Sequence, residues 1–355
     1  MKSQFLISII LCCVFVLQPI SGLAFETDQF NLPPVPLADI GDEVSEYVEA
    51  TLAAAVAEVN REIVKSKACL NPAIMQKDCG SAGAERKKLE HLRSNDAVAE
   101  RIYRELSGSS LMFTKFGSWI ESHKFKAQPS SYKTSFSASI FVALPADYLT
   151  ISPTVRLYGN EFGVDKLEHL FQQGYKYYTI QRDAAAKGAT QADAVKQAIN
   201  YGRRSEKTYY GLMTSGVYSN ADMVANYVGM KFYQHLTKPV AVGTFTREPL
   251  LSLVDGDWLV NSKNLRDDIL KPFLTEHLNE AFNPSGYAFN LYPFVLKTVA
   301  KNSCPRWKER YPSFTQTILA ERSNALELWN GEDYGYTKRD RTVRIGEVCF
   351  SESKK

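Results

Sequence analysis

Apolar residues recur at helical spacing along most of the chain. Val44, Val48, Leu52, Val56, Val59 and Ile63 follow one another at steps of three and four, which predicts a helix over about 43–65. Shorter helices are expected at 83–94 and 96–106, the second stopping before Ser107-Gly108. From residue 162 the periodicity returns in long blocks at 163–186, 191–213, 220–236, 264–282, 290–301 and 311–329. Thr190 with Asp193, and Ser219 with Asp222, have the spacing at which a cap hydroxyl takes an amide and an acid answers it. The best strand candidates are 135–144 (SFSASIFVAL) and 151–158, bounded or interrupted by Pro145 and Pro153 and able to form a small hairpin. The pattern therefore predicts a mainly α fold, a compact helical domain with a small β element. Two strands are too few for a doubly wound sheet, and no phosphate-binding glycine fingerprint opens a helix.

Residues 25–40, with Pro33, Pro34 and Pro36, read as an irregular lead-in, and 66–82 as a loop. No repeat and no long Pro-, Gly- or Ser-rich linker divides the chain. Residues 25–355 are expected to form one domain with an N-terminal helical extension to about 130.

The first residues have a different task. Lys2 precedes an apolar run at 5–16, followed by Ser21-Gly22-Leu23-Ala24, which predicts a secretory signal over 1–24 cleaved after Ala24. The product would be periplasmic or extracellular. The run is short for the roughly 20 apolar residues a spanning helix needs, and no later stretch is longer, so stable membrane insertion is not expected. The formal net charge is +3, and Lys2 is the one charge lost with the signal. Lysines and arginines are interspersed with acids rather than gathered in one patch, which does not favour a nucleic-acid partner.

Cys12 and Cys13 lie in the apolar run, leaving Cys69, Cys79, Cys304 and Cys349. An even count in an exported chain predicts two disulfides, and proximity favours Cys69–Cys79 and Cys304–Cys349. No CxxC pair occurs and no histidine adjoins either pair, so no metal or cofactor is expected.

Two polar clusters stand out. In 158–178 (YGNEFGVDKLEHLFQQGYKYY), Glu161, Asp165, Glu168, His169 and Gln172 share one side of a helix start. They are either a solvated face at the positive end of a helix dipole, or they place Asp165 against His169 as an acid–imidazole pair in a cleft. In 203–233, Glu206 lies near a helix end, followed by Tyr209, Tyr210 and Gly211-Leu212-Met213. Tyr218, Asp222 and Asn226 continue into the next helix. A carboxyl covered by aromatic rings has its pKa raised, as a general acid requires, unless Glu206 merely pairs with Arg203 or Arg204. Asp222 and Asn226, four apart, suit hydrogen bonds to sugar hydroxyls. No G-x-S-x-G elbow points to a serine nucleophile.

Glu206, the Gly211-Leu212-Met213 turn and the helix carrying Asn226 and Tyr233 resemble the order found in lysozyme-like lytic transglycosylases and goose-type lysozymes. The resemblance implies a lysozyme-like fold and a single catalytic glutamate. The resulting expectation is a secreted glycoside hydrolase that cleaves the glycan strands of peptidoglycan by carboxyl general acid catalysis. Glu206 is its first candidate acid, with Glu168 or Glu161 in its place. Asp165, His169, Tyr209, Tyr210, Tyr218, Asp222 and Asn226 would contact the cell-wall polysaccharide. The competing expectation is a non-catalytic exported binding or scaffold protein of the envelope, its acids solvated and its tyrosines contact area.

Overall fold

A computed structural model describes residues 26–71, 79–108, 114–261, 265 and 269–351, so the expected signal segment lies outside the described residues. The fold is mainly α with several small sheets.

The first predicted stripe is the buried face of helix α1 (Gly41–Cys69), with Val44, Val48, Leu52, Val56, Val59 and Ile63 all buried. Helices α2 (Ala82–Leu92) and α3 (Asn95–Leu106) pack on it, each started by a serine, Ser81 or Ser94, whose side chain accepts an amide of the first turn. Helix α4 (Lys115–Ser122) begins at Thr114, and the short α5 is Pro145–Leu149. Helices α6 (Val164–Ala186), α7 (Gln191–Lys207) and α8 (Asn220–His235) form the centre. Both anticipated caps are made, Thr190 accepting from the Asp193 amide and Ser219 from the Asp222 amide.

Residues 220–230 of α8 are all buried, so this helix is enclosed rather than amphipathic. Its closest neighbour is α6, and glycine permits the approach. A β-carbon on Gly174 would lie 2.4 Å from the Gly229 α-carbon, and one on Gly229 would lie 2.1 Å from the Leu170 carbonyl oxygen. The C-terminal part supplies α9 (Tyr292–Thr298), a π turn (Val299–Ser303), α10 (Cys304–Arg310), α11 (Gln316–Ala325) and α12 (Ile345–Cys349). The lead-in threads through a second apolar cluster here, with Phe30 and Leu32 buried against Phe282 and Trp307. Trp307 Nε1 donates to the Phe30 carbonyl at 2.7 Å, and Arg310 to that of Pro33 at 2.6 Å.

The β element is present, and of its two anticipated strands 151–158 holds one, Thr154–Leu157, while 135–144 does not. Residues 135–144 form a 3₁₀ turn (Phe136–Ala138) and irregular turns, because Asp28 and Ser139 side chains take the Ile140 and Phe141 amides that a strand ladder would need. The sheet is β1 (Ser131–Tyr132), β2 (Thr154–Leu157) and β3 (Asn160–Gly163), antiparallel in that order. Tyr158 and Gly159 join the last two with φ of 51° and 82°, the mirror-image turn that suits a tight hairpin. Glu161 therefore lies on a strand, and the helix begins three residues later. Three further antiparallel pairs join β4 (Val217–Tyr218) to β9 (Gly286–Tyr287), β5 (Val240–Val242) to β6 (Phe245–Arg247), and β7 (Leu251–Val254) to β8 (Asp257–Val260).

Other boundaries shift too. Helix α7 stops at Lys207 instead of 213, and the expected 264–282 helix is, among its described residues, mostly turn with a 3₁₀ segment at Glu276–Leu278. The expected 290–301 helix is present and runs on, through α9 and the π turn, into α10, whereas the 311–329 helix is shortened to α11. Both disulfides form as expected, Cys69–Cys79 at the end of α1 and Cys304–Cys349 between α10 and α12. They are compatible with an exported protein. Among the described residues no helix is long and apolar enough to cross a membrane.

Candidate functional site

The starts of α6 and α8, the end of α7, the lead-in and the 280 segment converge on one buried ionic centre. Lys166 is its hub: Nζ donates to Asp165 Oδ2 at 2.7 Å, Asp222 Oδ1 at 2.5 Å and Glu280 Oε1 at 2.5 Å. Lysine and acids alike are at most 3% exposed at the side chain. Two more acids close the group. Glu206 Oε2 accepts from the Ser219 amide at 3.4 Å, and Glu26 Oε1 from the Ser215 hydroxyl at 2.6 Å. Ser219, the α8 cap, also donates its hydroxyl to Glu280 Oε1 at 3.0 Å. At the edge, His169 Nδ1 lies 3.0 Å from Asn226 Oδ1, and its Nε2 lies 3.5 Å from Asp222 Oδ2.

Five carboxyls around one ammonium cannot all be ionised without water. Burial works against the Lys166 charge, but Asp165, Asp222 and Glu280 outweigh it and hold its pKa well above the ordinary lysine range. Burial also opposes charge on Asp222, yet His169 and Lys166 prevail and lower its pKa. The remaining acids are driven toward their protonated forms. Burial lifts Asp165 to about 8 against the pull of Lys166, and raises Glu206 and Glu26 well above the carboxylate range, with Asp222 adding to both. Glu280 moves up for the same first reason, and burial lowers His169. One oxygen each of Glu26, Asp165, Glu206 and Asp222 is buried without a hydrogen-bond partner. Asp165, Asp222 and Glu280 each offer an oxygen, all within 4.8 Å of one another, as a hard cation would require. The Lys166 ammonium sits among those oxygens and supplies the positive charge there. Chemically the centre is a charge-compensated lock that fixes three helices and two loops against one another.

The predicted site residues divide accordingly. Asp165, Glu206, Asp222, Asn226 and His169 are brought together, although Asp165 pairs with Lys166 and not with His169. Glu168 points elsewhere: its Oε1 accepts from Thr114 N at 3.2 Å and Thr114 Oγ1 at 2.8 Å at the start of α4, and burial lifts it to about 6. Tyr218 is buried, its hydroxyl 3.0 Å from Thr337 Oγ1. Tyr210 is partly buried and Tyr209 53% exposed; of the Gly211-Leu212-Met213 turn only Met213, 77% exposed, reaches the surface, Gly211 being buried and Leu212 half-buried. Sequence reasoning missed Lys166, Glu26, Glu280 and Ser219's role toward the acids. Only Lys166 left a signal, a cation set between two predicted site acids.

Glu161 belongs to an adjoining open cleft of about 270 Å³, whose walls include Arg156, Arg310, Arg322, Glu276, Phe282 and Tyr311. Its backbone is tied to the centre. The Glu161 carbonyl accepts from Gln29 Nε2 at 3.1 Å and Asn279 Nδ2 at 2.8 Å, while Gln29 Oε1 accepts the Glu280 amide at 2.6 Å. Across the cleft floor Glu276 is ion-paired with Arg322, whose guanidinium lies 3.8 Å over the Phe282 ring. Burial raises the Glu161 pKa, with Arg310 and Arg156 pulling the other way. No protein-family profile, curated protein or solved structure matches this chain.

Proposed function

We propose that the protein is an exported glycan-acting enzyme that opens a glycosidic bond of a cell-wall polysaccharide in the Glu161 cleft. The observation that carries this reading is access. Of the three candidate acids Glu206 is 1% and Glu168 9% exposed, whereas Glu161 is half-buried and lines an open cleft with a second carboxyl group, Glu276. A general acid must come within hydrogen-bond reach of the leaving oxygen and keep its proton near neutral pH. Partial burial of Glu161 serves the second need and its place in the cleft the first.

In this reading Glu161 protonates the leaving oxygen. Glu276, ion-paired to Arg322, serves the anomeric carbon directly or through a water. Tyr311, half-buried in the cleft wall, offers contact area to the sugar. The buried centre does no chemistry. It holds the 279–280 segment and Gln29, and through them the strand that presents Glu161.

The test is incubation of the purified mature protein with peptidoglycan, native and de-N-acetylated, with soluble products separated by mass. New glycan fragments support the proposal. Polymer that stays intact but carries the protein down on sedimentation would make it an envelope-binding protein, and intact polymer without binding would remove the glycan reading altogether.

A further inference from the structure

The cleft carries more positive charge than a neutral sugar calls for. Arg322 is matched by Glu276, to which it donates from Nε at 2.8 Å and also from Nη2. Arg310 has no such match, and Arg156 meets an acid only at the limit of ion pairing. Arg310 is held by a neutral group, donating from Nη2 to the Pro33 carbonyl at 2.6 Å, which fixes its position without cancelling its charge. Arg156 stands 4.0 Å from Asp39, outside hydrogen-bond range, and that carboxylate already accepts the amides of Gly41, Tyr158 and Gly159 at 3.0, 2.9 and 2.6 Å. Arg156 Nε is consequently a buried donor with no partner.

The obvious alternative is that these arginines serve Glu161. Arg156 and Glu161 are direct cross-strand partners in the β2–β3 register, where opposite charges on one face ordinarily meet. They do not: among the described ion pairs none within 4.0 Å joins Glu161 to Arg156 or Arg310. Arg156, Arg310 and Glu161 thus share one cleft wall, and neither of these two cations closes on that acid. A guanidinium with a free N–H edge is suited to a carboxylate or a phosphate, whose two oxygens it can take together.

We infer that the cleft selects a glycan bearing an anionic group, carboxylate or phosphate, on the sugar lying between Arg156 and Arg310. The inference rests on the glycan reading of the cleft and adds the substrate class to it.

The full-length mature Glu161→Gln protein, unable to cleave, is titrated calorimetrically with three tetrasaccharides: neutral tetra-N-acetylglucosamine, its 6-O-phosphorylated form, and alternating N-acetylglucosamine and N-acetylmuramic acid, whose lactyl groups carry carboxylates. At least one anionic ligand is expected to bind at least about tenfold more tightly than the neutral one. The tighter of the two identifies the anion. Adding Arg156→Gln or Arg310→Gln should remove most of that preference while neutral binding changes less than about twofold. Raising the salt with the arginines intact should erode it as well, a readout that does not depend on a variant folding. Equal affinity for all three ligands, or a preference indifferent to both substitutions and to salt, would overturn the inference and leave the glycan reading standing. Failure of every ligand to bind removes the glycan reading and the inference together.

Discussion

Replacing Lys166 by methionine keeps the length of the side chain and removes the one ammonium shared by Asp165, Asp222 and Glu280. Each lost bond is a charge-assisted one, worth about 1.5–3 kcal/mol net. The loss is not three times that, because Asp165 and Glu280 are already driven toward their protonated forms by burial. The charge stranded by the substitution is mainly that of Asp222, whose pKa His169 and Lys166 hold down. Breaking a buried pair at one partner costs about 3–5 kcal/mol, a large part of the roughly 5–15 kcal/mol that stabilises a typical domain. The expected loss is therefore about 3–5 kcal/mol at pH 7.5, shrinking to about 1–2 kcal/mol at pH 5, where Asp222 can take up a proton. Urea unfolding followed by circular dichroism at the two pH values measures both. Adding Asp222→Asn to Lys166→Met should recover part of the loss, since the stranded charge is then gone. A Lys166→Met protein within about 1 kcal/mol of the parent at pH 7.5 would refute the reasoning, and so would a loss that does not change with pH.

Buried carboxyls inside and outside the centre set the pH dependence of the parent. Carboxyls raised in the fold, with Asp165 at about 8 and Asp28 and Glu168 at about 6, give stability that is present below the ordinary carboxylate range and lost as pH rises through the folded values. Asp222 and His169 are lowered and act oppositely, losing their contribution as pH falls, but the raised acids outnumber them. The melting temperature should thus fall between pH 5 and pH 8, and a rise over that window in a thermal scan would contradict the assignment. Gly229→Ala should destabilise by at least about 2 kcal/mol, because its β-carbon would sit 2.1 Å from the Leu170 carbonyl oxygen at the α6–α8 crossing; an unchanged denaturation midpoint would show that the helices can separate freely. The Cys304–Cys349 bridge spans 45 residues and Cys69–Cys79 spans 10, so loop entropy predicts that removing the first costs more, about 4 kcal/mol against less than about 3. Denaturant midpoints of the two double-serine variants would reverse in order if native strain dominated instead.

Much of the helical framework was legible because its signals are local. The stripe of Val44, Val48, Leu52, Val56, Val59 and Ile63 and the caps at Thr190 and Ser219 lie within single elements, and both cysteine pairs are neighbours among the cysteines in sequence. The hairpins were less legible. Tyr158-Gly159 ends the anticipated 151–158 strand and turns it onto β3, which read only as the approach to a helix, and Asp255-Gly256, a strong turn signal with φ of 52° and 80°, closes the β7–β8 pair that periodicity passed over. The ionic centre was only half visible. Asp165, Glu206 and Asp222 were marked as chemistry-bearing, but as sugar-facing groups, because nothing local distinguishes an acid on an exposed helix start from one enclosed by three other segments. Lys166 reads as an ordinary surface lysine until Glu280 and Glu26, far away in sequence, close over it. Glu161 was singled out for its helix face, yet its place in the cleft follows from a strand that sequence spacing did not reveal.

Whether the chemistry belongs to the open cleft or to the buried centre is decided by one paired measurement. Glu161→Gln and Glu206→Gln are each purified, checked for unchanged unfolding curves and assayed for release of glycan fragments from peptidoglycan. Glu161→Gln should lower the rate by at least about 100-fold, and Glu206→Gln, at a residue only 1% exposed, should stay within about threefold of the parent. A Glu161→Gln protein that keeps its activity while Glu206→Gln loses it would place the acid at the end of α7 instead.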